Sequence, residues 1–162
     1  MTSRVDPPTG GGTKQRALRM LDKRDYARGE LLEKLVEKGE PREEAEAIVD
    51  RLTELGFLDD ARYAGLVARH YAAKGCGRRR IEAELFRRRV PRELWDAALE
   101  VLPPSDSTLD SLLQNRLRGA SPDDRAAVRR ASDALLRRGF SWEEIRDALE
   151  RCRQNYMDEQ GE

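Results

Sequence analysis

The chain has 162 residues, and its 31 lysines and arginines balance 31 aspartates and glutamates, so the formal net charge is zero although 38% of positions are charged. A chain of this length forms one domain or several small modules. No stretch approaches the roughly 18 to 20 consecutive apolar residues of a membrane span, and Met1 to Gly12 lack the apolar run of a secretion signal. We therefore expect a cytoplasmic protein without membrane contact.

Cysteine and histidine are too few for most metal and catalytic sites. Cys76 and Cys152 are far apart in the chain and form no CxxC pair, and His70 is the only histidine. A zinc site with several imidazoles is thereby excluded, and a Ser-His-Asp triad would depend on this one residue. We expect a protein that is not an enzyme and that has no catalytic residue, metal site or cofactor.

The first segment of the chain, MTSRVDPPTGGGT, contains two prolines, three consecutive glycines and almost no apolar side chain. Such a segment buries too little surface to offset the conformational entropy that it would lose on ordering. We predict that residues 1–13 form a flexible tail.

Amphipathic helices are predicted from Lys14 onward, because apolar residues recur at intervals of three and four and strand-like alternation is missing. Ser141 and Glu144 have the spacing of a capping box, which Ser121 and Asp124 nearly share. The predicted helices cover residues 14–24, 26–38, 41–55, 59–73, 78–89, 91–102, 107–118, 122–138 and 142–155.

Three segments align without a gap when the chain is compared with itself at an offset of 50 residues. They cover residues 35–52, 85–102 and 135–152, and residue type persists from column to column. Typical columns are Leu35, Leu85 and Leu135; Val36, Phe86 and Leu136; and Gly39, Arg89 and Gly139. The same helical phase in three places predicts three copies of one unit.

The repeat predicts an all-α fold of three tandem three-helix modules, each similar to a helix-turn-helix unit. A module of about 45 residues buries little surface by itself, so neighbouring modules must pack together. The predicted organisation is a tail (1–13), module 1 (14–57), module 2 (58–102), a Pro-rich hinge (103–106), module 3 (107–155) and a frayed tail (156–162).

Charge is distributed in blocks of opposite sign. Residues 69–92 contain nine lysines and arginines against two glutamates, a local charge of +7, whereas residues 30–60 contain four basic and eleven acidic residues, a local charge of −7. Such asymmetry is typical of binding surfaces or of self-complementary ones.

The densest basic cluster lies in the helix predicted over residues 78–89. A helical wheel places Ile81 and Leu85 on one side and Arg79, Arg80 and Arg87 on nearly the opposite side. Guanidinium groups bind phosphate or carboxylate through paired hydrogen bonds. The candidate partner-binding residues are Arg78, Arg79, Arg80, Arg87, Arg88 and Arg89. The alternative is a solvated face whose arginines pair with the acidic block at 30–60.

Base stacking on single-stranded nucleic acid would require exposed aromatic rings among basic residues. Helical spacing instead assigns five rings to the core, and it places His70 at the edge of a buried stripe as a structural residue. Asp59 and Asp60 are predicted to cap a helix rather than to bind a metal. The five rings are those of Phe57, Tyr63, Phe86, Trp95 and Trp142.

Four groups of residues, in order along 14–152, resemble the RecX family of bacterial proteins, which regulate the recombinase RecA. The first comprises ALRML at 17–21 and YARGEL at 26–31, and the second is LGFLDDARYA at 55–64. The third comprises KG at 74–75, RI at 80–81 and EL at 84–85, and the fourth is LLRRGFS at 135–141. The matching motif residues with a mainly structural role are Gly56, Leu58, Asp59, Asp60, Tyr63 and Ala64.

The resemblance implies an extended array of three-helix repeats that lies along the groove of the RecA filament on single-stranded DNA. It implies a regulator that restrains filament growth or promotes disassembly, and so lowers ATPase, strand-exchange and co-protease activity in DNA repair and the SOS response. We expect a monomer whose partner is this filament, with weak contact to single- or double-stranded DNA. The alternative is a stand-alone DNA-binding protein that uses tandem helix-turn-helix-like modules.

Overall fold

The computed structural model describes residues 10–161, and within that range it contains helices and no strand, which confirms the all-α prediction. One turn of 3-10 helix, Arg92–Leu94, leads into the sixth helix. The α-helices of the described range are α1 (Gly10–Lys23), α2 (Arg28–Glu37), α3 (Arg42–Glu54), α4 (Asp60–Ala73), α5 (Arg78–Arg87), α6 (Trp95–Glu100), α7 (Asp106–Leu117), α8 (Arg125–Arg137) and α9 (Trp142–Gln160).

The second helix of each module ends in the same left-handed turn. Gly39, Arg89 and Gly139 have φ values of +93°, +56° and +96°. In each turn the next residue donates its N–H to the carbonyl of the equivalent leucine five positions earlier, as Glu40 does to Leu35 at 3.1 Å. This is the Schellman arrangement, which satisfies carbonyls at a helix end. The repeat seen in the sequence is therefore a repeat of backbone geometry.

The predicted tail at residues 1–13 falls partly outside the described residues, and its last four residues are helical rather than flexible. Thr13 is fully buried, and its hydroxyl lies 2.6 Å from Glu40 Oε2 and 3.2 Å from Glu44 Oε2. These contacts join α1 to residues about thirty positions away, which local composition does not reveal. The described part of α1 thus includes residues 10–13.

The predicted frayed tail at 156–162 is helical as far as Gln160. Residues 156–160 contain neither proline nor glycine, and Met157, Glu159 and Gln160 are good helix formers. The N–H of Gly161 donates to the carbonyl of Met157 at 3.0 Å and closes the last turn. Glu162 lies outside the described residues.

The eighth helix begins three residues later than predicted. Asp124 is its N-cap, and the carboxylate accepts the N–H groups of Ala126 and Ala127, both at 3.1 Å. Ser121 accepts an N–H within the preceding turn instead, from Asp123 at 3.2 Å. The capping box that opens α9 is confirmed, with Ser141 and Glu144 bonding each other's backbone N–H.

Two hydrophobic clusters form the cores of the first and third modules. The first joins α1, α2 and α3, and the second joins α7, α8 and α9. The first contains Ala17, Met20, Leu31, Leu35, Ala45, Val49, Leu52 and Leu58. The second contains Leu109, Leu113, Leu117, Ala127, Ala131, Leu135, Phe140, Ile145, Ala148 and Leu149.

By packing, the chain divides into two compact units. One contains the residues up to Gly65 together with Leu85–Trp95, and the other contains Leu66–Glu84 together with the residues from Asp96. The sequence of module 2 is therefore shared between the two units. No helix within residues 10–161 is both long and apolar enough to cross a membrane.

The predicted burial of aromatic rings is confirmed for Tyr63 and Trp95, which are 6% and 9% exposed. It is wrong for three rings: Phe57 is 57% exposed, Phe86 75% and Trp142 54%. Phe57 lies in the turn before α4 and Trp142 is the first residue of α9, so neither is enclosed by its own helix.

His70 does not lie at the edge of a buried stripe, as was predicted for it. The residue is exposed although Val67, one turn earlier, is buried. Its ring contacts the edge of Tyr71, with the two centroids 5.1 Å apart.

Candidate functional site

Helix α5 buries one face and exposes the opposite one. Ile81 and Leu85 are 2% and 0% exposed, as the helical wheel predicts, whereas Arg79, Arg80 and Arg87 are exposed. The burial of the aliphatic stripe fixes the rotation of the helix and turns these arginines outward.

Two of the six candidate arginines are held by carboxylates of the chain itself. Arg78 donates to Glu82 at 2.8 Å and to Asp96 at 2.7 Å, and its pKa is raised, chiefly by the hydrogen bond to Glu82. The Arg80 guanidinium lies 3.3 Å from the carboxylate of Glu84, a residue that is only 4% exposed. The Arg80 guanidinium thus neutralises a buried charge, which is costly to leave unpaired.

Arg88 contacts a buried tyrosine. Its Nη1 donates to the Tyr63 hydroxyl at 3.0 Å, and Arg24 donates to the same oxygen at 3.2 Å and to Glu30 at 2.9 Å. Burial raises the pKa of Tyr63, although the hydrogen bond from Arg88 acts in the opposite direction. Arg88 is thus half-buried and has a structural contact.

Arg79 and Arg89 are exposed and form no ion pair with any residue in the described range. Arg89 adopts φ = +56° at the position where the two other modules have glycine. A left-handed conformation costs a non-glycine residue about 1 to 2 kcal/mol. The chain therefore keeps a guanidinium at a position where backbone geometry favours glycine.

Phe86 shares the exposed face of α5 with Arg79 and Ala83. Its ring is 75% exposed, which excludes the core role that was predicted for it. At about 100° per residue, Phe86 falls within roughly 20° of Arg79 on the helical wheel. The helical wheel of α5 alone predicts that Phe86 is exposed. The core prediction was instead based on the repeat, in which the equivalent residues, Val36 and Leu136, are also apolar.

A cleft of about 550 Å³ lies between the end of α5 and the exposed side of α2. Its lining carries both signs of charge: Arg24, Lys34, Arg87, Arg88 and Arg89 face Glu30, Glu33 and Glu37. Five cations and three carboxylates leave a local charge of +2. Of the arginines predicted to pair with the acidic block, Arg87, Arg88 and Arg89 lie beside part of it.

The motif residues at 56–64 divide by position. Leu58, Tyr63 and Ala64 are buried, at 2%, 6% and 0% exposure, and Gly56 adopts φ = +82° in the turn after α3. These residues build the junction between α3 and α4.

The two aspartates of this motif cap two different helices. Asp59 accepts the N–H of Arg62 at 3.1 Å within α4, as predicted. Asp60 accepts the N–H of Arg28, the first residue of α2, at 2.8 Å. The second cap joins residues that are 32 positions apart, so no local sequence signal announces it.

The N-terminus of α5 is capped by backbone carbonyls from the turn between α8 and α9. Gly77 donates to the Arg138 carbonyl at 2.8 Å, and Arg79 donates to the Gly139 carbonyl at 3.1 Å. The Arg138 side chain donates in turn to the Lys74 carbonyl at 3.1 Å, near the end of α4. This backbone contact fixes the start of the helix that carries the candidate arginines.

Three family models match the chain in succession. Models described as the first, second and third three-helix domains of RecX match residues 14–52, 59–99 and 105–149. Their order and spacing follow the three repeats seen in the sequence.

Similar proteins and structures agree with these matches. The regulatory protein RecX of Xanthomonas citri is 40% identical over 136 residues, which covers 83% of each chain. The regulatory protein RecX of Stenotrophomonas maltophilia strain R551-3 is 36% identical over 156 residues, or 91% of this chain and 96% of the relative. The crystal structure of RecX from Lactobacillus salivarius matches with a TM-score of 0.78 at 20% identity, over 88% of this chain and 95% of that one, which supports the fold. The chain belongs to the RecX family of regulatory proteins.

Proposed function

We propose that this protein binds the RecA recombinase filament on single-stranded DNA and inhibits its assembly, ATPase, strand-exchange and co-protease activities in DNA repair and the SOS response. Membership in a family of regulatory proteins supports the regulatory role. The observation that carries the choice of surface is the outward-facing part of α5, with Arg79, Phe86 and Arg87 exposed and Arg89 just beyond the helix.

The six candidate arginines differ in whether they already have a partner within the chain. Arg78, Arg80 and Arg88 have partners within the chain. The partners of Arg80 and Arg88 are buried, so a change at either of these two arginines would disturb the fold as well as the surface. Arg79 and Arg89 have no ion pair in the described range and can offer their donors to carboxylates of a protein partner.

A ligand that prefers one filament state shifts assembly only by its difference in affinity between the states. Strong binding to naked DNA is therefore not required.

The direct test is DNA-dependent ATP hydrolysis by preassembled RecA filaments from the same organism, titrated with this protein at physiological salt. Inhibition well below one regulator per recombinase would support regulation of the filament. Inhibition only at amounts that coat the DNA, together with a steep loss of naked-DNA affinity with salt, would instead identify a stand-alone DNA-binding protein.

Charge reversal tests the surface. We expect Arg79→Glu combined with Arg89→Glu to raise the concentration for half-inhibition at least tenfold. The reason is that each guanidinium is replaced by a carboxylate, which repels carboxylates of the partner. The matched control is Arg129→Glu with Arg130→Glu on α8, where both arginines are exposed and unpaired within the described range. Circular dichroism checks that helicity is retained in both variants. Equal inhibition by both double variants would exclude α5 as the contact surface.

A further inference from the structure

The ring of Phe86 is the most exposed large hydrophobic side chain of the described residues, at 75%. A phenyl ring that stays in water does not gain the favourable free energy of burial. Single exposed apolar residues are common on protein surfaces. Phe86 needs further evidence before it can be assigned a role.

Comparison of the three modules supplies that evidence. Val36, at the equivalent position in module 1, is half-buried and packs against the first hydrophobic cluster. Leu136, in module 3, is 37% exposed. Phe86 is the largest of the three side chains and the most exposed. Packing within the chain therefore does not explain why a large apolar side chain occupies this position.

Charged groups of both signs lie at the C-terminal end of α5, which Phe86 precedes by one residue. Arg87 follows it directly, Arg89 lies three positions on, and both line the cleft that also contains Glu33 and Glu37. Protein interfaces typically combine an apolar centre, often aromatic, with a polar rim and with arginine. The surface around Phe86 has these components.

We propose that Phe86 is the apolar anchor of a contact with a protein partner whose surface has an apolar pocket bordered by groups of both charges. The inference rests on the proposed function, in which that partner is the recombinase filament. Carboxylates of the partner would meet Arg89. Its basic groups would meet Glu33 and Glu37, whose ion pairs with Arg42 and Lys34, at 3.4 and 3.5 Å, leave part of each carboxylate exposed.

The mixed charge favours protein over nucleic acid. A strand of phosphates placed along the arginines would approach the carboxylates of Glu30, Glu33 and Glu37 in the same cleft. Binding to a polyanion depends on an uninterrupted positive surface. The cleft carries only +2, from five cations and three carboxylates, so stacking of bases on Phe86 is the weaker alternative.

The test uses the full chain with Phe86→Ala, Phe86→Leu and the matched control Phe57→Ala. Phe57 is also an exposed phenylalanine, at 57%, but lies in the turn before α4. Two quantities are measured for each variant: cosedimentation with preassembled recombinase filaments, and affinity for a naked single-stranded oligonucleotide. Circular dichroism and thermal denaturation confirm folding.

We expect Phe86→Ala to weaken filament binding at least tenfold, Phe86→Leu to retain part of it, and Phe57→Ala to change it less than twofold. Oligonucleotide affinity should stay the same in all three. Unchanged filament binding by Phe86→Ala, while the wild type binds, would overturn the inference and leave the proposed function standing. A parallel loss of oligonucleotide affinity would overturn it in favour of base stacking. If the wild type does not bind filaments, the proposed function and this inference fail together.

Discussion

In each compact unit, two segments of the chain approach each other closely at a glycine. In one unit, a Cβ atom added at Gly139 would lie 2.4 Å from the Arg80 nitrogen. In the other, a Cβ atom added at Gly29 would lie 3.2 Å from the Arg89 Cβ. Both contacts join the left-handed turn after one second helix to the first turn of the second helix one module earlier. The glycine is in the turn in one case and on the helix in the other, so each contact has one small partner.

Gly139→Ala should therefore destabilise the protein far more than the equivalent change at Gly39. Both residues have positive φ, but a Cβ atom at Gly39 would meet nothing within 4 Å. We expect Gly39→Ala to lower the free energy of unfolding by about 1 kcal/mol through backbone strain alone. Gly139→Ala adds a clash with backbone, and we expect a loss of about 3 kcal/mol or more. Thermal or urea denaturation of the two variants measures the difference, and equal losses would contradict the steric explanation.

Arg89→Gly should separate stability from function. Glycine removes the strain of a left-handed arginine but adds entropy to the unfolded chain, and the two effects are of similar size, about 1 kcal/mol each. We expect the free energy of unfolding to change by less than about 1 kcal/mol while inhibition of the filament weakens. Denaturation and the ATPase titration measure these two quantities. A variant that inhibits as well as the wild type would show that the guanidinium has no role in binding.

At the scale of the helices, the ends were harder to predict than the helices themselves. Hydrophobic spacing located every helix of the described residues, because it depends on positions three and four apart within one segment. Caps depend on which polar group reaches a free N–H, and several come from distant residues. Asp60 caps α2, and the turn after α8 caps α5.

The cap of α8 offers a clear comparison. We expect Asp124→Ala to lower the free energy of unfolding by about 1 kcal/mol, since two N–H groups lose their acceptor and the first turn of α8 has no other acidic residue. Ser121→Ala should have a smaller effect, because Ser121 accepts only one N–H in the preceding turn. Denaturation of both variants tests the assignment, and a larger loss for Ser121→Ala would restore the cap that the sequence suggested.

At the scale of the whole molecule, the three repeats of the sequence do not have equal packing. The core residues of module 3 all lie between positions 109 and 149, within one module. The residues of module 2 are shared between two compact units. Because a short segment buries too little surface to fold alone, module 2 should depend on its neighbours.

Fragments of the chain test this dependence. We expect residues 104–161 to be helical and to unfold cooperatively in a thermal scan, because they contain the whole second hydrophobic cluster. Residues 58–102 should have low helicity in isolation, since isolated short helices are marginal in water. Circular dichroism of the two fragments is sufficient. A cooperative transition for 58–102 would show that the middle module is an independent folding unit.

The sequence by itself determined that the chain is helical, that it repeats three times at an offset of 50 residues, and that it resembles the RecX family. Each of these properties depends on residue types at short spacing or in repeated order. Only the tertiary structure decided that Thr13 is buried and that Arg78 and Arg88 contact Asp96 and Tyr63. Those outcomes depend on contacts between residues far apart in the chain, and periodicity within one segment carries no information about what packs against it.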